Sequence, residues 1–211
     1  MKYLYRLFIL AFLFSQQIYG QFWENNYLYG NIGITGGNYF GANVGANLIF
    51  NEKYFINVGI LSLQAESNEK PNGYSAGSGI LGSGDSDIMD RYNTPFVTAG
   101  YVLKLSSKFR VIFDGGLGLQ FRHYATDFKV HESNGTFGGF NYGSSPSHDF
   151  EWKDDVSAAF IINPRLEFLL SHIYGVGISP LFILNKNETF IGIGIHNIIG
   201  NIRKRAIITD E

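Results

Sequence analysis

Ser179, His196 and Glu167 place a hydroxyl, an imidazole and a carboxylate in the last quarter of the chain. In mutual reach, these groups are the working parts of nucleophilic catalysis. A second set is ionic: Lys104, Arg110, Asp114, Arg122, Arg165 and Glu167 each interrupt stretches rich in glycine and apolar residues, where a charge needs a partner of opposite sign. His131 and His148 stand near Glu132 and Asp149. Without the regular ligand spacing of a metal site they read as solvated loop residues. The glycine-rich stretch from Gly77 to Gly84 follows no strand-to-helix context, which argues against a phosphate-binding loop. No metal and no cofactor is expected. What the first two sets can do depends on which elements carry them and which way those elements face.

The chain of 211 residues is 45% hydrophobic and 16% aromatic but only 16% charged, with 26 glycines and no cysteine. Charge is well below the roughly 25% of an ordinary soluble domain, and disulfide or thiolate chemistry is excluded. A balance of 16 Lys and Arg against 18 Asp and Glu gives no basic field for nucleic acid. Residues 1–20 read as a cleavable export signal: Lys2 and Arg6, the apolar run from Leu7 to Phe14, then a polar stretch ending at Gly20. That run falls short of the ~20 residues that span a bilayer as a helix. Losing Lys2 and Arg6 leaves 14 basic residues against 18 acidic, a formal charge of −4. Later apolar stretches are all interrupted by glycine or polar residues, so a membrane would be crossed by strands. The expected organisation is a leader at 1–20, a barrel at 21–200 and a tail at 201–211.

A period of two runs through the mature chain. Phe40, Ala42, Val44, Ala46, Leu48 and Phe50 alternate with Gly41, Asn43, Gly45 and Asn47, the mark of a strand with one apolar face. The pattern recurs from Tyr54 to Ile60 and from Phe109 to Phe121, with further copies at Leu28 to Ile34, Pro95 to Leu105, Val156 to Leu170, Tyr174 to Phe182 and Ile191 to Ile195. These make about eight segments, many near the ~10 residues of a membrane-spanning strand. A turn at Glu52 pairs Leu48 with Ile56 and Val44 with Ile60, leaving Asn47 opposite Asn57. A turn at Ser106 and Ser107 pairs Tyr101 with Phe113 and Val97 with Leu117. One at His172 pairs Phe168 with Val176, and one at Gly36-Gly37-Asn38 pairs Ile34 with Phe40. Apolar faces agree in every hairpin, although a one-residue slip would set them on opposite sides. Tight connections alternate with long polar ones at 66–92 and 127–153, except that the first and last connections of the long-loop side, Gly36 to Asn38 and Asn185 to Glu188, are short.

Too few charges lie on the strands to solvate a water-facing exterior, and the bulky face carries none. The barrel therefore turns its apolar side chains to hydrocarbon and its small and ionic ones to the lumen, which eight strands leave just wide enough to fill. Spacing then sets Arg110 opposite Glu167 and Asp114 diagonal to Arg165, within a lumen ion-pair network that includes Lys104 and Arg122. Ser179 falls diagonal to both Glu167 and His196. In a filled lumen this trio reads as an interior hydrogen-bond cluster, not a catalytic site.

With these features the chain resembles the small outer-membrane β-barrel proteins of Gram-negative bacteria, particularly porin-like barrels of Bacteroidota. The resemblance spans leader and barrel. It implies an all-β, eight-stranded antiparallel transmembrane up-and-down barrel that meets outer-membrane lipid and the barrel-assembly machinery. It also implies a structural or partner-binding role through the loops at 66–92 and 127–153, where Trp152, Phe137, Phe140 and Tyr142 offer aromatic contacts. A narrow pore is the alternative, and a lipid A deacylase-like enzyme a more distant one. Such enzymes share a His-x-Ser-Asn run, whereas here His196 is followed by Asn197-Ile198-Ile199. Many of these barrels end on an aromatic residue of the last strand, but this chain continues past Ile195 through Arg203-Lys204-Arg205 to Glu211. No enzymatic activity is expected.

Overall fold

The computed structural model describes residues 25–67, 69, 88–131, 136–137, 140–141, 147–186 and 188–204, with backbone alone at 130–131, 136–137, 140–141 and 147–148. The leader at 1–20, most of the tail at 201–211 and most of the loop at 66–92 lie outside the described residues, as does Tyr142. The strands are β1 (Tyr27–Gly37), β2 (Phe40–Phe50), β3 (Tyr54–Glu66), β4 (Met89–Lys104), β5 (Phe109–His131), β6 (Thr136–Phe137), β7 (Phe140–Asn141), β8 (Ser147–Ile162), β9 (Arg165–Phe168), β10 (Tyr174–Asn185) and β11 (Thr189–Gly200). Among the described residues β6 and β7 pair only with each other. β8 and β9 lie end to end as one stave between β5 and β10, and β11 closes the ring on β1. Eight antiparallel staves in up-and-down order make a closed barrel. Closure gives every stave two neighbours, which a chain in hydrocarbon requires because lipid offers its backbone no partner.

The turns are built from local chemistry. Asn51 and Glu52 take left-handed φ values of 51° and 59°, and Asn26 Oδ1 accepts the Asn51 amide at 2.8 Å. Ser106 Oγ accepts the amides of Lys108 and Phe109, and Ser171 Oγ those of Ile173 and Tyr174, so that each hydroxyl stands in for a backbone acceptor. The ladders place Leu48 opposite Ile56, Tyr101 opposite Phe113 and Phe168 opposite Val176, the registers the sequence sets.

Four expectations need correction. The first turn is Asn38-Tyr39, and Ile34 faces Ala42 instead of Phe40. Asn38 is pinned across the seam, donating to the Thr189 carbonyl at 2.8 Å and accepting the Ile191 amide at 2.9 Å. The run from Val156 to Leu170 breaks at Asn163-Pro164, where proline has no amide to give the ladder. The stretch 127–153 is largely strand, since β5 and β8 stay paired out to His131 and Ser147 past an irregularity between Thr126 and Lys129. Finally, the lumen is not filled by small and ionic groups alone. Its inward positions also carry Ile49, Phe55, Leu61, Leu63, Val102, Ile112, Ile161, Ile183 and Ile198, all buried.

The outer wall is apolar. Val58, Val97, Leu117, Ile193 and Ile195 are each more than half exposed, and Phe50, Tyr54, Tyr101, Phe109 and Tyr174 follow one another near its turn-end rim. Eleven residues of β2 carry this belt from Phe50 to Phe40, about 25 Å of height at the tilt of a membrane barrel. A soluble protein does not present such a belt to water. Val58→Arg at mid-belt is expected to cost about 2–4 kcal/mol of folding free energy and Tyr54→Arg at the rim about 0–1 kcal/mol. Urea titration in lipid vesicles checks both values.

Candidate functional site

The lumen is layered. Toward the turn end, Tyr27, Tyr29, Ile49, Phe55, Val102, Ile112, Leu169, Ile198 and Ile202 form one apolar cluster. Toward the loop end, Leu61, Leu63, Tyr92, Phe96, Ile161, Leu181, Ile183 and Phe190 form a second, with Tyr39 stacked on Tyr92 at 5.2 Å between ring centroids. A polar girdle lies between them.

Every stave contributes to that girdle. Asn47 donates to Asn31 Oδ1 at 2.6 Å, Asn57 donates to Asn47 Oδ1, and Arg165 Nη1 donates to the same Asn47 oxygen at 2.9 Å. Arg165 Nη2 lies 3.3 Å from Asp114 Oδ2, which also accepts the Thr98 hydroxyl at 2.6 Å. With its amide turned to suit its neighbours, Asn163 accepts from Arg165 and donates to Ser179 Oγ at 3.1 Å. Ser179 Oγ and His196 Nε2 are 2.6 Å apart, and His196 Nδ1 lies 3.4 Å from Asn43 Oδ1. Gly33 and Gly194 make this possible: a Cβ on Gly33 would sit 2.6 Å from His196 Nδ1 and one on Gly194 2.9 Å from His196 Cε1.

Arg110 and Glu167 form a separate island nearer the turn end. Arg110 Nε donates to Glu167 Oε2 at 2.6 Å and Nη1 to the Ile202 carbonyl at 2.9 Å, while the Tyr29 hydroxyl reaches Glu167 at 3.0 Å. Both partners are only 2% exposed. Arg110, Arg165, Asp114 and Glu167 thus balance two positive charges against two negative ones, as a low-dielectric interior demands.

The remaining sequence candidates lie elsewhere. Lys104 stands at the turn-end rim, half-exposed, with Nζ 2.5 Å from Glu52 Oε2, because its strand has by then left the barrel interior. Arg122 lies above the second apolar layer, 2.8 Å from Asp90 and 3.2 Å from Glu188. The six ionic residues therefore divide into an Arg110–Glu167 island, an Arg165–Asp114 girdle, a rim and a loop-end cluster. Ser179 and His196 are together, but Glu167 hydrogen-bonds to Arg110 and Tyr29 instead. The third position on the imidazole is taken by the Asn43 amide, which carries no charge to stabilise an imidazolium. Sequence reasoning missed Tyr29, Asn31, Thr98 and Asn163. The diagonal spacing that links Asp114 to Arg165 also links Thr98 to Asp114, but uncharged side chains do not announce a need for partners.

Beyond the belt, β5 and β8 rise as a two-stranded ladder. Its outer side stacks His123 on Trp152 at 4.6 Å between ring centroids, with His123 Nδ1 2.7 Å from Asp154; Lys153 Nζ lies 2.6 Å from Asp127. Ile88 and Ala125 pack with Phe128 and Phe150. The side chains of His131, His148, Phe137 and Phe140 lie outside the described ones. No three His, Asp or Glu side chains gather as a metal site among the described residues.

No protein-family model and no curated protein matches the chain. Solved structures do. Ail, the attachment invasion locus protein of Yersinia pestis, crystallised with the heparin analogue sucrose octasulfate, aligns over 83% of this chain and 98% of its own at 13% identity and a TM-score of 0.46. Ail in a phospholipid bilayer nanodisc gives 82%, 98%, 14% and 0.45. Neisserial surface protein A aligns over 85% and 98% at 9% identity and a TM-score of 0.48.

The buried pair sets a first expectation. Arg110→Met leaves the Glu167 carboxylate without its cation and should cost about 3–5 kcal/mol, much of which Arg110→Met/Glu167→Met restores; denaturant unfolding in detergent measures both. The rim sets a second. The Lys104 hydrogen bond, helped by the Tyr27 hydroxyl, holds the Glu52 carboxyl below its ordinary value of 4.5. A lowered carboxyl stabilises the fold above that value and loses its contribution as pH falls through the folded one. Glu52→Gln should therefore lower stability by no more than about 1 kcal/mol at neutral pH and by progressively less on acidification below 4.5, read from unfolding curves across pH.

Proposed function

We propose that this chain is a non-enzymatic, non-conducting barrel of a Gram-negative outer membrane, of the Bacteroidota type its sequence resembles. It is exported by a cleavable leader and inserted by the barrel-assembly machinery. Its turn end and both mature termini face the periplasm, and the β5–β8 ladder with its flanking loops meets partners outside the cell. The observation that carries this reading is the layering of the lumen: apolar side chains close the barrel on both sides of a charge-balanced girdle. A pore needs a continuous wet path, whereas in this interior greasy layers lie on both sides of a polar layer whose charges are paired. The same layers separate Ser179 and His196 from any acyl chain, so the hydroxyl–imidazole contact serves the girdle's hydrogen bonding. A protruding ladder that displays Trp152, 45% exposed, beside charged side chains fits contact with a macromolecule, since exposed aromatic residues amid polar ones mark binding surfaces.

In planar bilayers the purified protein should show no stable open channel; a large, long-lived conductance would overturn the reading. Ser179→Ala should leave the outer-membrane lipid profile unchanged by mass spectrometry, and lost lipid hydrolysis would restore the enzymatic alternative. Replacing residues 123–154, which removes the ladder and Trp152, with a tight turn should abolish binding of an extracellular macromolecule by expressing cells while leaving heat-modifiable barrel assembly intact.

A further inference from the structure

The turn end of the barrel opens into a cavity of ≈ 980 Å³, at the upper end of the size range of small-molecule sites. Its wall comes from the turns at Glu52, at Ser106-Ser107 and at Ser171-His172 and from the segment after β11, over a floor that includes Arg110, Leu169 and Ile202. Charge here is one-sided. Residues 25–26, 51–53, 104–109, 169–174 and 200–204 carry Lys53, Lys104, Lys108, Arg203 and Lys204 against Glu52, in a chain whose net charge is −2.

Donors outnumber acceptors as well. The ammonium groups of Lys104 and Lys204 share one carboxylate, lying 2.5 and 3.6 Å from Glu52 oxygens. Arg203 gives Nη1 to the Ser107 carbonyl at 3.3 Å and has further guanidinium hydrogens to give. Ser106 and Ser171 line the same wall. Each already accepts two backbone amides, which occupies both lone pairs of its oxygen and leaves its O–H to donate. A wall of ammonium, guanidinium and hydroxyl donors around a single carboxylate, among the described residues, matches an anionic acceptor.

We propose that this mouth binds a soluble, carboxylate-bearing solute, whose carboxylate is taken between Lys104, Lys204 and Arg203 in competition with Glu52. One observation selects this ligand: Lys104 and Lys204 already hold a carboxylate, that of Glu52, which also accepts the Tyr27 hydroxyl at 2.7 Å. The cavity is walled by the chain's own turns, so a lipid headgroup in it would have to draw its acyl chains between them. The compartment that supplies the solute rests on the proposed orientation; the binding does not.

Titration calorimetry on the full mature protein in zwitterionic nanodiscs, where both faces are open, tests the site. The probes are an N-acetylated tripeptide with a free C-terminal carboxylate, its C-terminal amide, and inorganic phosphate. Saturable binding of the acid is expected, about ten-fold weaker for the amide and about ten-fold weaker in Lys104→Gln/Lys204→Gln, and weakening as salt rises. Glu52→Gln, which removes the competing carboxylate, should bind the acid several-fold more tightly. That gain is an outcome a misfolded variant does not produce. Absence of saturable binding, equal binding of acid and amide, preference for phosphate, or unchanged affinity in Glu52→Gln would each overturn the proposal. Orientation is read separately. Ser107→Cys, in a chain that has no cysteine, should label with a membrane-impermeant maleimide only after the outer membrane is permeabilised. Labelling on intact cells would overturn the orientation and leave the binding site standing.

Discussion

A peptide backbone in hydrocarbon can hydrogen-bond only to itself, and the architecture follows from that constraint. It requires the sheet to close, and here β11 returns to β1 along nine paired positions from Tyr29–Gly200 to Gly37–Gly192. Closure fixes two surfaces of opposite fate. The outward set of each stave meets an apolar medium and the inward set meets the inward sets of seven other staves. Where proline interrupts the ladder at Pro164, the neighbouring Asn163 amide is still used, donating to the Asp114 carbonyl at 3.0 Å. The break therefore turns the stave without exposing a seam.

Inside, a second constraint takes over. Eight staves leave room for side chains but not for bulk water, so each charge must find its partner within the wall. Two arginines and two carboxylates cancel, and the amides of Asn31, Asn47, Asn57 and Asn163 carry hydrogen bonds between them. Arg165 joins the greatest number of these, touching Asp114, Asn47 and Asn163 and lying 4.9 Å over the Phe55 ring. Apolar layers on both sides separate the girdle from bulk solvent, which strengthens its electrostatics and raises the cost of leaving any member unpaired. The same arrangement that holds the barrel together leaves Ser179 and His196 satisfied and enclosed.

Charge that the interior cannot hold appears at the two ends. At the loop end Arg122, Asp90 and Glu188 cap the upper apolar layer, and the ladder beyond carries His123, Asp154, Lys153 and Asp127 in pairs. At the turn end the lysines outnumber their carboxylate. The two rims therefore differ in chemistry, and the turn-end rim opens into a cavity lined by unspent donors.

The alternation of Phe40 to Phe50, repeated along the chain, determined strand identity, which face meets lipid and most hairpin registers, because a period of two is a local property and a tight turn transmits it to the next strand. The pairing of Arg110 with Glu167 was legible for the same reason: β9 follows β5 through a register that charge complementarity pins. Tertiary structure alone decided the rest. Lys104 shares the parity of the lumen residues, yet it lies past the last layer, at a height set by strand tilt, which no alternation records. Ile49, Phe55, Leu61 and Leu63 also sit at lumen positions, and only the meeting of side chains from distant staves makes them two sealing layers. The His196–Asn43 and Tyr29–Glu167 contacts join residues more than a hundred positions apart, brought together by a closure that is a property of the whole ring.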